Sequence, residues 1–157
     1  MVAALQQAGW VVTDKADISS FIKAVKSLIL KTPHPSAPIS PSFWNTKIQN
    51  LSFAKVSGRN WFSNAHHVKI WRTNYLLKNG NNIYVGMANA NGGLKWGIIP
   101  IISPDLDAQR ELLCQHLNLT GKIESNRKVQ LVGPLIGKKF MGDQFFTDGK
   151  AYIITVQ

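Results

Sequence analysis

The sequence predicts an α+β domain, with a largely antiparallel sheet of about six or seven strands and two principal helices at 17–31 and 104–119. Three observations lead to this prediction. The middle of the chain holds the densest β-forming pattern, which turn residues interrupt at 79–82 and 91–93. Two other segments place apolar residues at helical spacing. The length of 157 residues and the apolar content of 45% predict one packed domain over 1–157.

The two helices follow from capping residues and apolar stripes. After Asp17, a typical N-cap residue, apolar side chains recur at helical spacing up to residue 29. Ser103 is the expected cap of the second helix, with Pro104 at the first helical position and Gly121 as its left-handed end. Cys114 lies among the leucines of this helix and is expected to be a core residue. As the single cysteine, it excludes an internal disulfide.

Strands alternate with turns over most of the remaining chain. They are expected at 48–56, 66–76, 83–89, 94–102 and 129–132, and in a closing hairpin of 143–147 and 150–156. The hairpin prediction depends on Asp148-Gly149, a dipeptide that favours tight two-residue turns. Four prolines between residues 33 and 41 predict an extended connection ahead of the first of these strands.

The predicted central strand alternates its side chains between two faces. The even-numbered positions, from His66 to Arg72, share the face that is expected to be core. His67, Lys69 and Trp71 share the other face, which could stack bases or hold phosphate, or could be the half-buried second face of the sheet. Because His66 and His67 point apart, they cannot ligate one metal ion. With no zinc-ligand spacing elsewhere, neither a metal nor a cofactor is predicted.

The charge of the chain narrows the classes of partner. Eighteen Lys and Arg against eight Asp and Glu give a net charge of +10, which suits nucleic acid, an anionic membrane surface or phosphorylated small molecules, or serves solubility alone. No apolar run approaches the roughly 18–20 residues that span a bilayer, and the start of the chain lacks the features of a signal peptide. The polypeptide is expected to be soluble, although it could be a piece of a larger membrane protein with Met1 as an artificial start.

Seven short motifs occur in order along the chain. They are Gly9-Trp10, Pro38-x-x-Pro41, Leu51-Ser52-Phe53, the segment His66 to Arg72, the segment Tyr84 to Ala88, the segment Ser103 to Arg110, and Gly142-Asp143-x-x-Phe146-Thr147-Asp148-Gly149. In this order they resemble the LssY C-terminal domain family over nearly the whole chain. The resemblance implies a bacterial parent protein with membrane-spanning DedA-like and type 2 phosphatidic-acid-phosphatase-like regions and an association with type I secretion. It also implies that the domain lies on the cytoplasmic side of the membrane.

The same resemblance implies that any phosphatase chemistry resides in a part of the parent protein outside this chain. The family pattern places histidines just before an Asp-Pro-Asp motif. Here Pro100 and Ile101 stand in their place, and Ser103 stands where an aspartate is usual. A site that uses those histidines in relatives would be degraded or absent in this chain.

The favoured function is a non-catalytic accessory domain of a membrane protein in phospholipid or envelope transport, which meets lipid headgroups or other anionic partners. The candidate site residues are His67, Lys69, Arg72 and Arg110 as anion ligands, Trp71 as a stacking platform, and Asp105 and Asp107 as orienters of Arg110. The alternative is a phosphate-ester hydrolase with His67 as the base and Asp105 or Asp107 orienting it. A nucleic-acid-binding module is the third hypothesis and lacks any recognisable binding signature.

Overall fold

The structure, a computed structural model, describes residues 1–13, 39–56, 64–95, 99–138 and 142–157. The helix predicted at 17–31 and most of the proline-rich connection lie outside these ranges. Within them the α+β fold class is confirmed, because antiparallel strands make up most of the structure and two helices accompany them.

The described elements follow one another in chain order. They are α1 (Val2–Gln7), β1 (Val11–Val12), β2 (Phe43–Trp44), β3 (Lys47–Ile48), β4 (Leu51–Val56), β5 (Ala65–Leu76), β6 (Asn82–Lys95), β7 (Ile99–Ile102), α2 (Leu106–Asn118), β8 (Ile123–Gln130), β9 (Leu135–Lys138), β10 (Gln144–Thr147) and β11 (Lys150–Val156). The predicted strand at 48–56 is therefore divided into β3 and β4. The division falls at Asn50, whose side-chain oxygen accepts a hydrogen bond from the backbone N–H of Arg72.

Strand β5 lies at the centre of a five-stranded antiparallel sheet with the order β1-β4-β5-β6-β7. Phe53 of β4 pairs with Val68 of β5, which in turn pairs with Ala88 of β6. Directly paired residues place their side chains on the same face, so this register carries one apolar row across the sheet. Three smaller two-stranded ladders join β2 with β3, β8 with β11, and β9 with β10.

The apolar face of the main sheet packs against both helices. Phe53, Val68 and Ile70 are buried there together with Leu5 of α1 and Leu117 of α2. The prediction that Val68 and Ile70 face the core is confirmed. Burial of apolar side chains on this scale supplies the main favourable free energy of folding.

Helix α2 begins two residues later than the sequence indicated. The prediction that Ser103 caps it is wrong, because the Oδ1 atom of Asp105 accepts the capping hydrogen bond from the backbone N–H of Ala108 at 2.9 Å. Pro104 precedes the cap, and its carbonyl accepts a hydrogen bond from Phe146 of β10 instead. Gly121 adopts the expected left-handed conformation with φ of 67°.

The glycines at 92 and 93 do not form the hairpin turn that the sequence predicted. Asn91 pairs with Ile102 and Gly93 pairs with Ile101, so Gly92 is the additional residue of a β-bulge inside the long strand β6. An added Cβ at Gly92 would lie 3.1 Å from the Cα atom of Ser103. The glycine is needed here for close approach of two backbones.

The predicted closing hairpin is also wrong. Asp148 and Gly149 connect β10 to β11, but β10 pairs with β9 and β11 pairs with β8. Gly149 has the positive φ of a turn residue, 73°. Its carbonyl accepts hydrogen bonds from the backbone N–H groups of Leu131 and Val132, which direct the chain into a second ladder.

Candidate functional site

The second face of β5 is buried, which answers the question that the sequence left open. Lys69 is 4% exposed and Trp71 is 3% exposed. The Nζ atom of Lys69 donates to the Oγ atom of Ser42 at 2.6 Å, and the indole N–H of Trp71 donates to the carbonyl of Lys47 at 2.9 Å. The segment that contains β2 and β3 therefore covers these side chains, and they do not form an exposed stacking stripe.

This covered face is polar, in contrast to the apolar core on the other side of the sheet. The polar residues that are buried in the described ranges all belong to it or contact it: Thr13, Lys69, Thr73 and Asn89. Asn89 pairs with His67, and Ser52 pairs with Lys69, so these side chains share the face. The hydroxyl of Thr13 lies 3.0 Å from that of Ser52. One sheet thus has an apolar buried face and a polar buried face.

Burial controls the charge of the two basic groups on the polar face. It lowers the pKa of Lys69 to about 8. Burial, followed by the charge of Lys69, lowers the pKa of His67 to about 4, although a hydrogen bond with Asn91 opposes this shift. The Nδ1 atom of His67 is buried and has no hydrogen-bond partner among the residues that the structure describes. His67 is therefore neutral at pH 7.

Arg110 lies at the centre of a network that fastens α2 to the turn between β10 and β11. Its Nη1 atom donates to Asp107 at 2.8 Å, to Asp148 at 2.7 Å and to the carbonyl of Lys150 at 2.8 Å. Its Nη2 atom donates to Glu111 at 2.7 Å. Burial alone would lower the pKa of Arg110, but the hydrogen bonds to Asp148 and Glu111 outweigh it and raise that pKa. The guanidinium is engaged by the protein itself.

The two aspartates that the sequence singled out have different structural tasks. Asp107 accepts hydrogen bonds from the hydroxyl of Thr147 and the backbone N–H of Asp148, both at 2.7 Å, as well as from Arg110. Asp105 caps α2 and has no contact with Arg110 among the hydrogen bonds of the described chain. Of the two aspartates, Asp107 thus contacts Arg110 and Asp105 does not.

The geometry does not assemble the hydrolase site that the sequence offered as an alternative. His66 lies on the apolar-core face of β5, where its Nδ1 atom is 2.8 Å from the side-chain oxygen of Gln109 in α2. His67 projects from the opposite face, so the sheet separates it from the start of α2. Because Asp105 and Asp107 belong to that start, neither can orient His67 as a base.

A surface feature that the sequence reasoning missed lies at the far end of the β5–β6 hairpin. Tyr75 is 70% exposed and Leu76 is 61% exposed, and Leu77 follows them in the connecting turn, also exposed. Phe43 and Ile48, which pair with each other in the β2–β3 hairpin, are exposed as well. We call these five residues the hairpin patch.

The two hairpins of the hairpin patch are adjacent in space. The Nζ atom of Lys47 in β3 donates to the side-chain oxygen of Asn74 in β5 at 3.1 Å. The indole of Trp71 anchors the same lysine through its carbonyl. The turn between β2 and β3 is tight, since its two central residues, Asn45 and Thr46, both have positive φ.

A bulge in β5 exposes the apolar residues. Arg72 pairs with Tyr84, but the next pair joins Leu76 with Asn82, so three residues of β5 face one residue of β6. The hydroxyl of Thr73 satisfies the interrupted ladder by donating to the carbonyl of Ile83 at 2.8 Å. A bulge of this kind bends a strand and redirects its side chains. Successive apolar residues then face solvent instead of alternating into a core.

The surroundings of the hairpin patch are basic. The sequence has no Asp or Glu between Asp17 and Asp105, and all ten charged side chains between them are Lys or Arg. Lys47, Arg72 and Lys78 belong to the two hairpins and are exposed. Of the binding residues predicted from the sequence, Arg72 is the one that lies here, with its Nε atom 2.9 Å from the side-chain oxygen of Asn82.

Comparison with known proteins identifies the family. The model of the LssY C-terminus family matches residues 1–151. The chain belongs to this family. No curated protein and no solved structure matches the chain.

Two of the motifs that characterise this LssY C-terminal domain meet in the Arg110 network. The first runs from Ser103 to Arg110 and supplies the cap of α2 with Asp107 and Arg110. The second ends in Thr147-Asp148-Gly149, where the carboxylate of Asp107 accepts hydrogen bonds from the hydroxyl of Thr147 and the backbone N–H of Asp148. The motifs therefore have a structural explanation in the docking of α2 on the final strands.

Metal-ligand clusters and membrane-spanning helices each have a geometry that can be compared with the described ranges. No group of three or more His, Cys, Asp or Glu side chains there could hold a metal ion. None of the helices that the structure describes is long and apolar enough to cross a membrane.

Cys114 is buried in α2 as predicted. Burial together with the charge of Glu111 raises the pKa of its thiol, which disfavours the nucleophilic thiolate.

The depressed pKa of His67 predicts a loss of stability in mild acid. The unfolded chain takes up a proton near pH 6.5, whereas the folded chain resists protonation down to about pH 4. Stability is therefore complete above pH 6.5 and falls as the pH drops towards 4, by about 3 kcal/mol. Urea denaturation across this range should show a weaker fall in a His67→Leu variant. An equal fall in both proteins would contradict the prediction.

Proposed function

We propose that this LssY C-terminal domain docks onto anionic lipid headgroups through the hairpin patch, as an accessory domain of a bacterial membrane protein in phospholipid or envelope transport. The observation that carries the proposal is the exposed run Tyr75-Leu76-Leu77, followed directly by Lys78, in a part of the chain that has no carboxylate. Exposed apolar residues bordered by cations are the pattern expected of a surface that enters the interface of an anionic bilayer.

The expected energies suffice for reversible attachment. Full burial of a leucine side chain contributes roughly 1.5–3 kcal/mol, and a lysine or arginine near an anionic surface contributes about 1 kcal/mol. Leu76 and Leu77 with Lys47, Arg72 and Lys78 would together contribute several kcal/mol. Such docking requires no reaction, and it suits a domain whose parent protein holds it near the membrane.

The buried residues of the predicted set support this surface from behind. Trp71 holds the β2–β3 hairpin through the carbonyl of Lys47, and Lys69 holds Ser42 just ahead of Phe43. Under the proposal these two side chains position the hairpin patch and do not touch the headgroups. Arg72 is the predicted ligand that remains a headgroup ligand.

Co-sedimentation with vesicles tests the proposal. The domain should bind vesicles of phosphatidylcholine with phosphatidylserine and not vesicles of phosphatidylcholine alone, and high salt should weaken binding. A Leu76→Ser, Leu77→Ser variant should bind at least about tenfold more weakly, because it loses the apolar contribution. The matched control is Leu131→Ser, Val132→Ser, another exposed apolar pair, which should bind like the parent chain.

A charge-reversal variant tests the second part of the surface. Arg72→Glu, Lys78→Glu should lose the preference for anionic vesicles, since the changes replace attraction by repulsion. Equal binding of the parent chain to neutral and anionic vesicles would contradict docking through the hairpin patch. Unchanged binding of the Leu76→Ser, Leu77→Ser variant would contradict it as well.

A further inference from the structure

A serine lies in direct contact with the buried lysine behind the β2–β3 hairpin. The Nζ atom of Lys69 and the Oγ atom of Ser42 are 2.6 Å apart. Lys69 is 4% exposed, whereas Ser42 is half-buried and precedes Phe43, which is 71% exposed. The pair thus joins an amine in the desolvated interior to the hydroxyl of a half-buried residue.

The surroundings of Lys69 favour its neutral form. No carboxylate of the described ranges forms an ion pair with it, and all the ion pairs there involve Arg110, Lys128 or Lys150. His67 lies two residues away on the same face and carries no compensating charge. Burial without a counter-charge lowers the pKa of the Lys69 ammonium to about 8. A neutral amine has a lone pair that can accept the proton of a hydroxyl.

The backbone of the serine is held as well. Its N–H donates to the side-chain oxygen of Gln49 at 2.8 Å, across the β2–β3 hairpin. With the backbone fixed and the hydroxyl in contact with a desolvated amine, Ser42 has the arrangement of a serine that is activated by an adjacent lysine base.

We propose that Ser42 is a nucleophile, that Lys69 is its general base, and that the pair transfers acyl groups from carboxylic esters. In the first step the hydroxyl proton passes to Nζ of neutral Lys69, the Oγ–C bond forms at the acyl carbon and the ester C–O bond breaks. The ammonium of Lys69 then returns this proton to the departing alcohol. In the second step water gives a proton to Lys69 and attacks the acyl carbon, the Oγ–C bond breaks, and Ser42 recovers its proton.

The location of Ser42 suggests the form of the ester. Ser42 is adjacent in sequence to Phe43 of the hairpin patch, so an ester at a lipid surface would be the one presented to it. This assignment of the substrate to lipid esters rests on the proposed docking, whereas the nucleophilic character of Ser42 does not.

Labelling with a fluorophosphonate in solution, without lipid, tests the nucleophile. The probe phosphonylates a serine oxygen and releases fluoride, and mass spectrometry of the peptides locates the adduct. The expected result is one adduct on Ser42, formed at a rate that rises with pH around a midpoint near 8. Adducts spread over several serines at similar rates, or no adduct, would overturn the proposal.

Two variants separate activation from mere exposure. Lys69→Met removes the base and should slow labelling of Ser42 at least about 100-fold, the range typical of a general base. Ser42→Cys should be alkylated by iodoacetamide with a thiol pKa lowered by the neighbouring ammonium. An unchanged labelling rate in folded Lys69→Met would overturn the role of the lysine.

The two proposals fail separately. A Ser42→Ala variant should give no fluorophosphonate adduct, and the two proposals are distinguished on the parent chain. If the parent chain binds vesicles but is not labelled, the nucleophilic role of Ser42 is overturned and the docking proposal stands. Labelling in solution without any vesicle binding would overturn the docking and the assignment to lipid esters.

Discussion

Replacing Arg110 by alanine is expected to lower the free energy of unfolding by about 3 kcal/mol. The side chain of Arg110 is 16% exposed and joins Asp107, Glu111 and Asp148 with the carbonyl of Lys150. Its removal leaves Asp107 without its cation, whereas Glu111 keeps Lys128 and Asp148 keeps Lys150, and it weakens the attachment of the turn between β10 and β11 to α2. Because Glu111 and Asp148 are partly exposed, water compensates some of this loss, and the expected value is at the low end for a broken buried ion pair.

Urea denaturation with hydrogen exchange measures both consequences. The amides of β10 and β11 should lose protection more than those of β5 in the Arg110→Ala variant. The matched control is Lys150→Ala, which removes an exposed partner 3.7 Å from Asp148 and should cost less than about 1 kcal/mol. Equal losses in the two variants would show that the network does not fasten α2 to the final strands.

Replacing Lys69 by methionine is expected to raise the free energy of unfolding at pH 7 by about 3 kcal/mol. The pKa of Lys69 is about 8 in the folded chain, whereas the ordinary value of 10.5 applies to the unfolded chain. This difference lowers the free energy of unfolding at every pH at which the unfolded lysine is charged. Methionine fills a similar space without a charge to desolvate. The hydroxyl of Ser42 is half-buried and can find water in place of the lost amine.

The pH dependence distinguishes this cause from a general packing effect. The penalty for Lys69 is complete below pH 8 and disappears as the pH rises through 10.5, so the advantage of Lys69→Met should vanish over this interval. Lys78→Met, at an exposed lysine of the β5–β6 hairpin, should change stability by less than about 0.5 kcal/mol. A Lys69→Met variant that is no more stable than the parent at pH 7 would contradict the burial cost.

A lysine that reduces stability in this way is consistent with a functional role for it. Groups placed for chemistry commonly cost folding free energy, and their removal stabilises the protein while function is lost. The Ser42 labelling experiment decides whether Lys69 is such a group.

The central part of the fold could be predicted because local patterns determine it. The alternation from His66 to Arg72 gave the strand and its two faces, and the apolar spacing around Leu113 and Leu117 gave α2. The ends of the elements were less predictable. Asp105 and Ser103 are both good helix caps, and the hydrogen bond from Phe146 of β10 to the carbonyl of Pro104 decides between them. The Gly92 bulge likewise depends on the approach of the backbone at Ser103.

The candidate site was harder to predict, because exposure depends on which elements cover a strand. The sequence placed Lys69 and Trp71 on one face correctly, but the β2–β3 hairpin that buries them is distant in the chain. Tyr75-Leu76-Leu77 resembles the end of a buried strand until the bulge at Thr73 is known. The signal available in the sequence was the position of these residues beside a turn, in a region without Asp or Glu.

The depth of the hairpin patch in a bilayer tests the docking proposal most directly. In a Cys114→Ala background, nitroxide labels at Leu77→Cys and at Leu119→Cys would be compared on phosphatidylserine-containing vesicles by power saturation. Leu119 is exposed beyond the end of α2 and serves as the reference. The label at position 77 should become accessible to oxygen and shielded from a water-soluble nickel chelate, while the label at 119 stays in water. Equal exposure of both labels to nickel on bound protein would contradict docking through the hairpin patch.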